Sequence, residues 1–413
     1  MLQQQMQPGY EGWQKKAAWF LSSQTVSLFG SSIVQFAIIW HITLSTTSGV
    51  MITISSLCSF LPQILISLFA GVWADRYSRK VLIMAADGMI AFVTLILAVI
   101  YLSGYRELWL LFLVSGIRSA GAGIQTPAVS AIIPQIVPQE KLMRMNGVNG
   151  TIQSLTMLVS PAISGAVLSL AGLEATFFID VVTAAAAILI MSRLKVAKLE
   201  RTEETVGGAM GELKDGLRYT WNHRFIRALL AFYAVLMFLV TPAALLTPLM
   251  TARSFGDDVW RLTANEVVWS LGAMLGGILM ASWGGFQNRV RTIAFGTAAF
   301  GVFTALIGCS TQFIFYLCML FVTGVFMPMI SSPSMVLLQE HVEPLKQGRV
   351  FSLVQIVGSG CVPLGMAVFG PLADAVKIEW LLIATGILMT ALGFAILQDR
   401  NLKQAGEPVN RQI

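Results

Sequence analysis

The chain has 413 residues, of which 56% are hydrophobic and only 12% are charged, and its formal net charge is +6. A soluble domain carries about 25% charged residues, so the surface of this chain cannot lie mostly in water. The composition therefore excludes a soluble enzyme, a nucleic-acid-binding protein and a disordered protein. The apolar runs are continuous, which argues against a transmembrane barrel, whose strands would alternate apolar and polar residues over about ten positions.

The apolar runs predict twelve transmembrane helices, since each crossing needs roughly 20 apolar residues. In chain order the predicted spans are residues 17–42, 50–72, 81–103, 108–131, 146–171, 175–193, 226–250, 264–284, 292–310, 312–336, 351–374 and 379–397. The longest hydrophilic stretch divides them into six and six. We predict an all-α polytopic membrane protein with two pseudo-symmetric six-helix bundles, residues 1–193 and 226–413, the latter with a short cytoplasmic tail, joined by a cytoplasmic linker, residues 194–225.

The basic residues predict the orientation of these spans. Of the 27 Lys and Arg residues, 22 fall in segments that are cytoplasmic if the N-terminus is cytoplasmic, four fall outside, and Arg118 lies within a span. This distribution follows the positive-inside rule and places both termini in the cytoplasm. The first 16 residues are polar and carry no signal-peptide pattern, so we expect the first helix to be retained.

The linker contains a segment, residues 211–230, that predicts a helix lying on the inner membrane surface. Its apolar side would consist of Leu213, Leu217, Tyr219 and Trp221. The segment could simply join the two halves, or it could regulate them.

The two halves of the chain resemble each other. Gly71-Val-Trp-Ala-Asp75-Arg76 follows the second span, and Gly284-Gly-Phe-Gln-Asn288-Arg289 follows the eighth. Thr126-Pro127 in the fourth span likewise corresponds to Ser332-Pro333 in the tenth. The matches keep the same order in both halves, which indicates a duplicated six-helix unit. Such repeats are typical of secondary transporters, whose substrate site lies between the repeats near the bilayer midplane.

Several motifs resemble those of the major facilitator superfamily. The loop GVWADRYSRKVLI, residues 71–83, resembles a family signature, with serine at position 78 where glycine is usual. Ser160-Pro161-Ala-Ile-Ser164-Gly165 resembles a fifth-helix element of exporters, with serines in place of two glycines. Within the superfamily, the runs IRSAGAGIQTPAVSAIIPQIVPQEKL and GRVFSL are most similar to bacterial macrolide efflux proteins, and the enterobactin-exporter branch is more distant. The resemblance implies an exporter with two rocking domains, coupled to a proton gradient.

The resemblance assigns a gating role to the loop after the second span. Its candidate residues are Gly71, Asp75, Arg76, Arg79 and Lys80. Asp75 would contact the inner end of the eleventh helix, near residues 349–352, and hold the outward-open state. The alternative is that these residues only anchor the loop at the cytoplasmic surface and form a turn.

Four ionisable residues in the spans are candidates for coupling transport to protons. Asp87 in the third span and Arg118 in the fourth could meet as an ion pair, because an unpaired charge at that depth costs at least about 2.5–3.5 kcal/mol. Such a pair could be structural, or Arg118 could modulate a proton-binding carboxylate. Asp180 and Glu266 are further candidates, although both could simply mark span boundaries. Asp374, at the end of the eleventh span, is expected to be interfacial.

Polar residues Gln24, Ser27, Ser31 and Gln35 form a stripe along the first span. The stripe could pack against another helix or line a water-filled cavity, and the resemblance implies the latter, since the first, fourth, seventh and tenth helices line the family's cavity. The seventh and tenth spans contribute Tyr233, Met237, Phe238, Phe326 and Met327. Soft aromatic and methionine side chains suit bulky amphipathic molecules.

The sequence contains no P-loop, metal-ligand cluster or nucleophile–base pair, so we expect neither a cofactor nor a metal ion. A membrane enzyme or receptor would need a catalytic cluster or a large soluble domain. Together with the family resemblance, these absences lead us to predict a monomeric secondary transporter of a bacterial cytoplasmic membrane. Its partners would be protons, the lipid bilayer and an amphipathic, macrolide-like drug. The alternative cargo is an endogenous metabolite such as a siderophore or a lipid-like compound.

Overall fold

The computed structural model of the chain describes residues 12–194, 196, 217–343, 346–398 and 400–407. These residues form helices and no strand, and 11 of the helices are long and apolar enough to cross a membrane. Large apolar side chains on them are exposed, including Leu170 at 88%, Ile314 at 77% and Phe394 at 59%. Such surfaces suit contact with lipid rather than water. The predicted all-α polytopic membrane fold is confirmed.

The helices follow one another with short connections. They are α1 Trp13–Thr46, α2 Gly49–Arg76, α3 Arg79–Leu102, α4 Leu108–Ile136, α5 Leu142–Ser192, α6 Arg224–Thr241, α7 Thr247–Ser254, α8 Val259–Trp283, α9 Arg289–Gly308, α10 Phe313–His341, α11 Gln347–Ala375, α12 Ile378–Gln398 and α13 Arg400–Ala405. A π-helical turn, Pro242–Leu246, joins α6 to α7 within the predicted seventh span. Pro242 has no backbone N–H to donate, which explains why regular α-helical bonding stops there.

Helix α5 contains two crossings, which reconciles 11 helices with the twelve predicted spans. Gly172 has φ 81° and ψ 179°, a backbone conformation that favours glycine and ends helical geometry. A straight helix would separate Ser164 from Asp180 by about 24 Å. Instead, Ser164 Oγ donates to the Ile33 carbonyl at 2.9 Å, and Ser31 Oγ donates to Asp180 Oδ1 at 3.2 Å. The two residues therefore bond to α1 within a single helical turn, which shows that the chain reverses at Gly172.

The chain divides into two compact units. The first comprises residues 1–41 and 58–209, and the second comprises residues 42–57 and 210–413. The end of α1 and the beginning of α2 therefore pack with the second unit. The predicted domain limits at residues 193 and 226 stay a prediction.

Each unit has its own apolar interior. In the first unit α3 packs against α4 and α5, and the core includes Phe20, Ile83 and Ile132. In the second unit α9 packs against α10 and α12, α8 packs against α10, and α6 packs against α11. Phe300 and Leu382 are fully buried there.

The predicted linker helix is only partly described, because Leu213 lies outside the described residues. Residues 217–222 are helical. Tyr219 is 8% exposed and packs beneath the Lys346 ammonium group, 4.9 Å from its ring centroid, whereas Leu217 and Trp221 are 54% and 66% exposed. Leu217 and Trp221 are four positions apart and share the exposed side of the helix, whereas Tyr219 packs against the protein and does not belong to that side. The placement of this segment on the inner membrane surface stays a prediction.

The second copy of the repeated loop sequence, residues 284–289, forms the turn between α8 and α9. Gly284 and Gly285 have φ values of 75° and 83°, which glycine adopts without strain. Asn288 then starts α9, because its side-chain oxygen accepts hydrogen bonds from the amides of Val290 at 3.0 Å and Arg291 at 3.3 Å. Its Nδ2 also donates to the Lys403 carbonyl at 2.9 Å, which fixes α13 beside this turn.

Small residues allow α8 and α10 to approach closely. A Cβ atom added to Gly272 or Gly276 would lie 2.1 Å from the carbonyl oxygens of Phe321 and Val325, respectively. The two glycines are four residues apart and lie on one face of α8, a spacing that brings helix backbones together in membranes. Close backbone contact between these helices therefore requires glycine at both positions.

We predict that Gly276→Ala destabilises the second unit, whereas Gly277→Ala does not. A methyl group at position 276 would strike backbone, and overpacking of this kind costs about 1–3 kcal/mol. A methyl group at position 277 would meet nothing within 4 Å. Thermal unfolding of the two purified variants measures the difference, and equal midpoints would contradict the proposed packing.

Candidate functional site

Three charged side chains are buried inside the first unit. Asp87 on α3 is 3% exposed, Arg118 on α4 is 7% exposed, and Asp180 in the second crossing of α5 is fully buried. Charges at such positions in membrane spans are costly unless they are paired or hydrogen-bonded. The contacts of these three residues therefore decide what the site can do.

Arg118 is paired with Asp180. Its guanidinium contacts the Asp180 carboxylate, donates to Thr94 Oγ1 on α3 and reaches the Ser31 carbonyl on α1 at 3.4 Å. The predicted pairing of Arg118 with Asp87 is wrong, and Asp180 is not a boundary residue. The reversal at Gly172 returns the chain across the unit and places Asp180 at the depth of Arg118.

Asp87 is held by neutral donors. Ser27 Oγ on α1 and Gln125 Nε2 on α4 donate to Asp87 Oδ1 at 2.8 and 2.7 Å. Among the described residues, no basic side chain forms a hydrogen bond or ion pair with this carboxylate. The cluster thus contains two acids and one base, and the unpaired acid is the group that can exchange a proton with least disruption of the ion pair.

The polar stripe on α1 faces this cluster over part of its length. Ser27 and Ser31 bond to the two carboxylates. Gln24 is 2% exposed, and its Nε2 atom has no hydrogen-bond partner. Gln35 is exposed. The stripe therefore contributes to the interior of the first unit through three of its members, and only Gln35 is freely accessible.

The fifth-helix motif also packs inside the first unit. Ser160, Pro161 and Gly165 are buried, and the Ser160 hydroxyl has no hydrogen-bond partner. Ser164 bonds to α1, as described above. The motif thus forms part of the contact between α1 and the first crossing of α5.

The candidate gating loop is only partly described. Gly71, Asp75 and Arg76 lie in the last turns of α2, and the structure does not describe the side chains of Asp75 and Arg76, so the gating role of Asp75 stays a prediction. Arg79 donates to the Ala131 carbonyl on α4 at 2.6 Å. Lys80 Nζ donates to the Ser192 and Leu194 carbonyls at 2.6 and 2.8 Å, where the last turn of α5 leaves carbonyls unpaired. These two basic residues connect the start of α3 to the C-terminal parts of α4 and α5 by hydrogen bonds.

The second unit contains a polar cluster that sequence analysis missed. Tyr316 OH donates to Asn265 Oδ1 at 2.6 Å, and Thr251 Oγ1 donates to Tyr316 OH at 3.2 Å. All three residues are buried. The neighbouring Glu266 is partly buried, and its carboxylate makes no hydrogen bond or ion pair among the described residues. The available sequence signal was the presence of Asn265 and Tyr316, two polar side chains, within the predicted eighth and tenth spans.

The aromatic and methionine candidates lie against other helices of the second unit. Met237 is 7% exposed, and Phe238 contacts Phe369 on α11 with ring centroids 5.1 Å apart. Phe326 stacks on Phe303 of α9, 5.6 Å away. The remaining candidates, Tyr233 and Met327, are partly buried. Phe326 thus faces α9, whereas the family resemblance implies that residues of its helix line the cargo cavity.

Asp374 is more than an interfacial residue, because it caps α2. Its carboxylate accepts hydrogen bonds from the amides of Gly49 at 2.7 Å and Val50 at 2.9 Å. Arg253 donates to the same carboxylate at 2.6 Å and to the Thr47 carbonyl at 2.6 Å. A carboxylate is favoured at a helix N-terminus, so this cluster anchors the start of α2 within the second unit.

We predict that Arg118→Leu alone is more damaging than Arg118→Leu combined with Asp180→Leu. Removing one member of a buried ion pair costs about 3–5 kcal/mol, because the other charge stays buried without a partner. Removing both charges should restore most of the loss. Thermal unfolding of the two single variants and the double variant measures this coupling, and additive effects would show that the pair does not determine stability.

No group of three His, Cys, Asp or Glu side chains that could hold a metal ion occurs in the described ranges.

A sequence model of the Major Facilitator Superfamily matches residues 20–366. The chain is 29% identical over 387 residues to Macrolide efflux protein A of Streptococcus pyogenes, covering 93% of this chain and 95% of that protein. It is 22% identical over 359 residues to the Staphyloferrin A transporter of Staphylococcus aureus, covering 86% and 89% of the two chains.

The fold is similar to that of the nucleoside transporter NupG. The two structures superpose with a TM-score of 0.70 at 14% sequence identity, over 94% of this chain and 99% of the other. Identity at this level supports the fold alone. The family match extends over most of the sequence, and together these findings show that this chain belongs to the Major Facilitator Superfamily, whose members are membrane transporters rather than enzymes.

Proposed function

We propose that this protein exports amphipathic, macrolide-like drugs across a bacterial cytoplasmic membrane in exchange for protons. Both termini lie in the cytoplasm, and the protein works as a monomer by alternating access. Two six-helix bundles, residues 1–193 and 226–413, rock about a central cargo site, with residues 194–225 as the cytoplasmic linker. Asp75 serves as a gate at the cytoplasmic end of the second span.

The observation that carries the proton-coupling proposal is the pair of unequal acids in the first unit. Asp180 has a guanidinium beside it, whereas Asp87 has only a hydroxyl and an amide. Burying a charge without a partner is costly, and adding a proton removes that cost. We therefore assign proton uptake to Asp87 and a structural role to the ion pair of Arg118 and Asp180.

The hydrogen bonds of Asp87 suggest how a proton could move helices. Ser27 lies on α1 and Gln125 on α4, so an ionised Asp87 draws both helices toward α3. Hydrogen bonds to a charged group are roughly twice as strong as those between neutral groups. Protonation weakens both contacts at once and frees α1 and α4, which are cavity-lining helices in this family.

The cargo assignment rests on similarity and on side-chain chemistry. Macrolide efflux protein A is similar over nearly its full length, and the partly buried Tyr233 and Phe238 supply apolar aromatic surface on α6. A siderophore or another endogenous metabolite is the second candidate, because the Staphyloferrin A transporter is also similar over most of its length.

We expect energised, pump-deficient bacteria that express this protein to accumulate less labelled erythromycin than cells with an empty vector. An uncoupler should abolish the difference, because the driving force is the proton gradient. Lower accumulation that persists after uncoupling would contradict proton exchange. No difference from the empty vector, with the protein detected in the membrane, would contradict the macrolide assignment and make a siderophore the next cargo to test.

We predict that Asp87→Asn lowers uncoupler-sensitive efflux at least about 10-fold, since it removes the charge that strengthens two hydrogen bonds. Asp87→Glu keeps a carboxyl group and is the matched variant, which should retain part of the activity. Efflux and membrane abundance are measured in the same cells. Wild-type efflux by Asp87→Asn, still sensitive to the uncoupler, would show that another group binds the proton.

A further inference from the structure

A groove of about 830 Å³ lies between α9, α10 and α12 of the second unit. Its wall is a continuous row of aromatic rings. Phe286 contacts Phe295 with centroids 5.9 Å apart, Phe295 contacts Phe326 at 5.9 Å, and Phe326 stacks on Phe303 at 5.6 Å. The row gives the groove a smooth apolar side that extends along the helices.

The groove is open to its surroundings. Phe295 is 48% exposed, Val302 is 44% exposed, and Phe394 on the opposite side of the groove is 59% exposed. A concave apolar surface of this kind is unfavourable in water and favourable against hydrocarbon. Its occupant should therefore have an apolar tail.

Two basic side chains stand at one end of the groove. Arg291 lies in the first turn of α9, and Lys403 lies on α13. Neither side chain makes an ion pair or a hydrogen bond within the described part of the chain, whereas the nearby Arg289 is paired with Glu340. The bond from Asn288 to the Lys403 carbonyl holds α13 at this position. Within the described residues, the site thus presents two positive charges without an acidic partner, and this bond holds the backbone of α13 in place.

The distance from the charges to the inner end of the groove matches one leaflet of a bilayer. Arg291 and Phe303 are twelve positions apart on α9, which is about 18 Å along the helix. Half of the hydrocarbon core of a bilayer is about 15 Å thick. A ligand with a negative head group and a hydrocarbon tail would therefore place its head at Arg291 and Lys403 and its tail along the aromatic row.

We propose that this groove binds an anionic phospholipid, with the phosphate between Arg291 and Lys403 and one acyl chain along Phe295, Phe326 and Phe303. Basic pockets between membrane helices commonly bind anionic head groups. The two positive charges oppose a cationic amphiphile and gain little from a zwitterionic lipid. In the orientation proposed above, the lipid comes from the cytoplasmic leaflet.

The proposal can be tested on the purified full-length protein in a neutral detergent. Native mass spectrometry measures binding of phosphatidylglycerol and of phosphatidylcholine with the same acyl chains, and thermal unfolding measures stabilisation by each. We expect phosphatidylglycerol to bind and stabilise more strongly than phosphatidylcholine. Inorganic phosphate alone, which carries the charge without a tail, should give no comparable stabilisation.

Variants locate the site. Each basic residue near an anionic lipid contributes a factor of about 5 in affinity, so Arg291→Gln combined with Lys403→Gln should weaken phosphatidylglycerol binding about 25-fold. The matched control is Lys141→Gln combined with Arg144→Gln, two exposed basic residues of the first unit. The control pair should bind phosphatidylglycerol like the wild type.

Three results would overturn the proposal. Equal binding of phosphatidylglycerol and phosphatidylcholine by the wild type would show that charge is not recognised, and this comparison needs no variant to fold. Equal weakening by the two double variants would show that only the total charge matters. Stabilisation by inorganic phosphate as large as that by the lipid would identify a simple anion site. None of these outcomes bears on erythromycin export, so the two proposals fail separately.

Discussion

The ion pair between Arg118 and Asp180 is the interaction on which the first unit depends. A charged side chain in the middle of a membrane span has no water to solvate it, so the helices around it must supply its partners. Arg118 draws together four elements, because its guanidinium contacts Asp180 on α5, Thr94 on α3 and the Ser31 carbonyl on α1. Asp87 lies beside this arrangement but outside the pair, which is why we propose it as the acid that binds the proton.

In its described residues, the second unit is stabilised by close helix packing and aromatic contacts rather than by a buried ion pair. Gly272 and Gly276 let α8 and α10 approach to backbone contact, and aromatic rings line the groove between α9, α10 and α12. Two of its buried polar groups, Tyr316 and Asn265, are neutral and form a hydrogen bond with each other. The duplicated halves therefore keep a common helix order while differing in what stabilises them. This asymmetry supports placing proton chemistry in the first unit and apolar ligands in the second.

Sequence patterns predicted individual helices well and contacts between helices poorly. Arg118 was recognised as a charge that needed a partner, but the pattern within α3 and α4 pointed to Asp87. The true partner lies 62 positions away, and only the chain reversal at Gly172 brings it close. Phe326 was assigned to a cavity by its helix, yet its ring faces α9. Asp374 was read as interfacial because nothing in its neighbourhood along the sequence shows that α2 begins beside it.

The sequence by itself determined that this protein lies in a membrane, that it crosses the membrane twelve times, that its two halves are related, and to which family it belongs. These properties depend on composition and on periodicity within one helix, where the hydrophobic effect and backbone hydrogen bonding act locally. The tertiary structure decided which acid pairs with Arg118, which acid stays unpaired, how α2 is capped and where the aromatic groove forms. Each of these depends on side chains from helices that are distant along the chain, and their meeting is set by helix packing rather than by any local pattern.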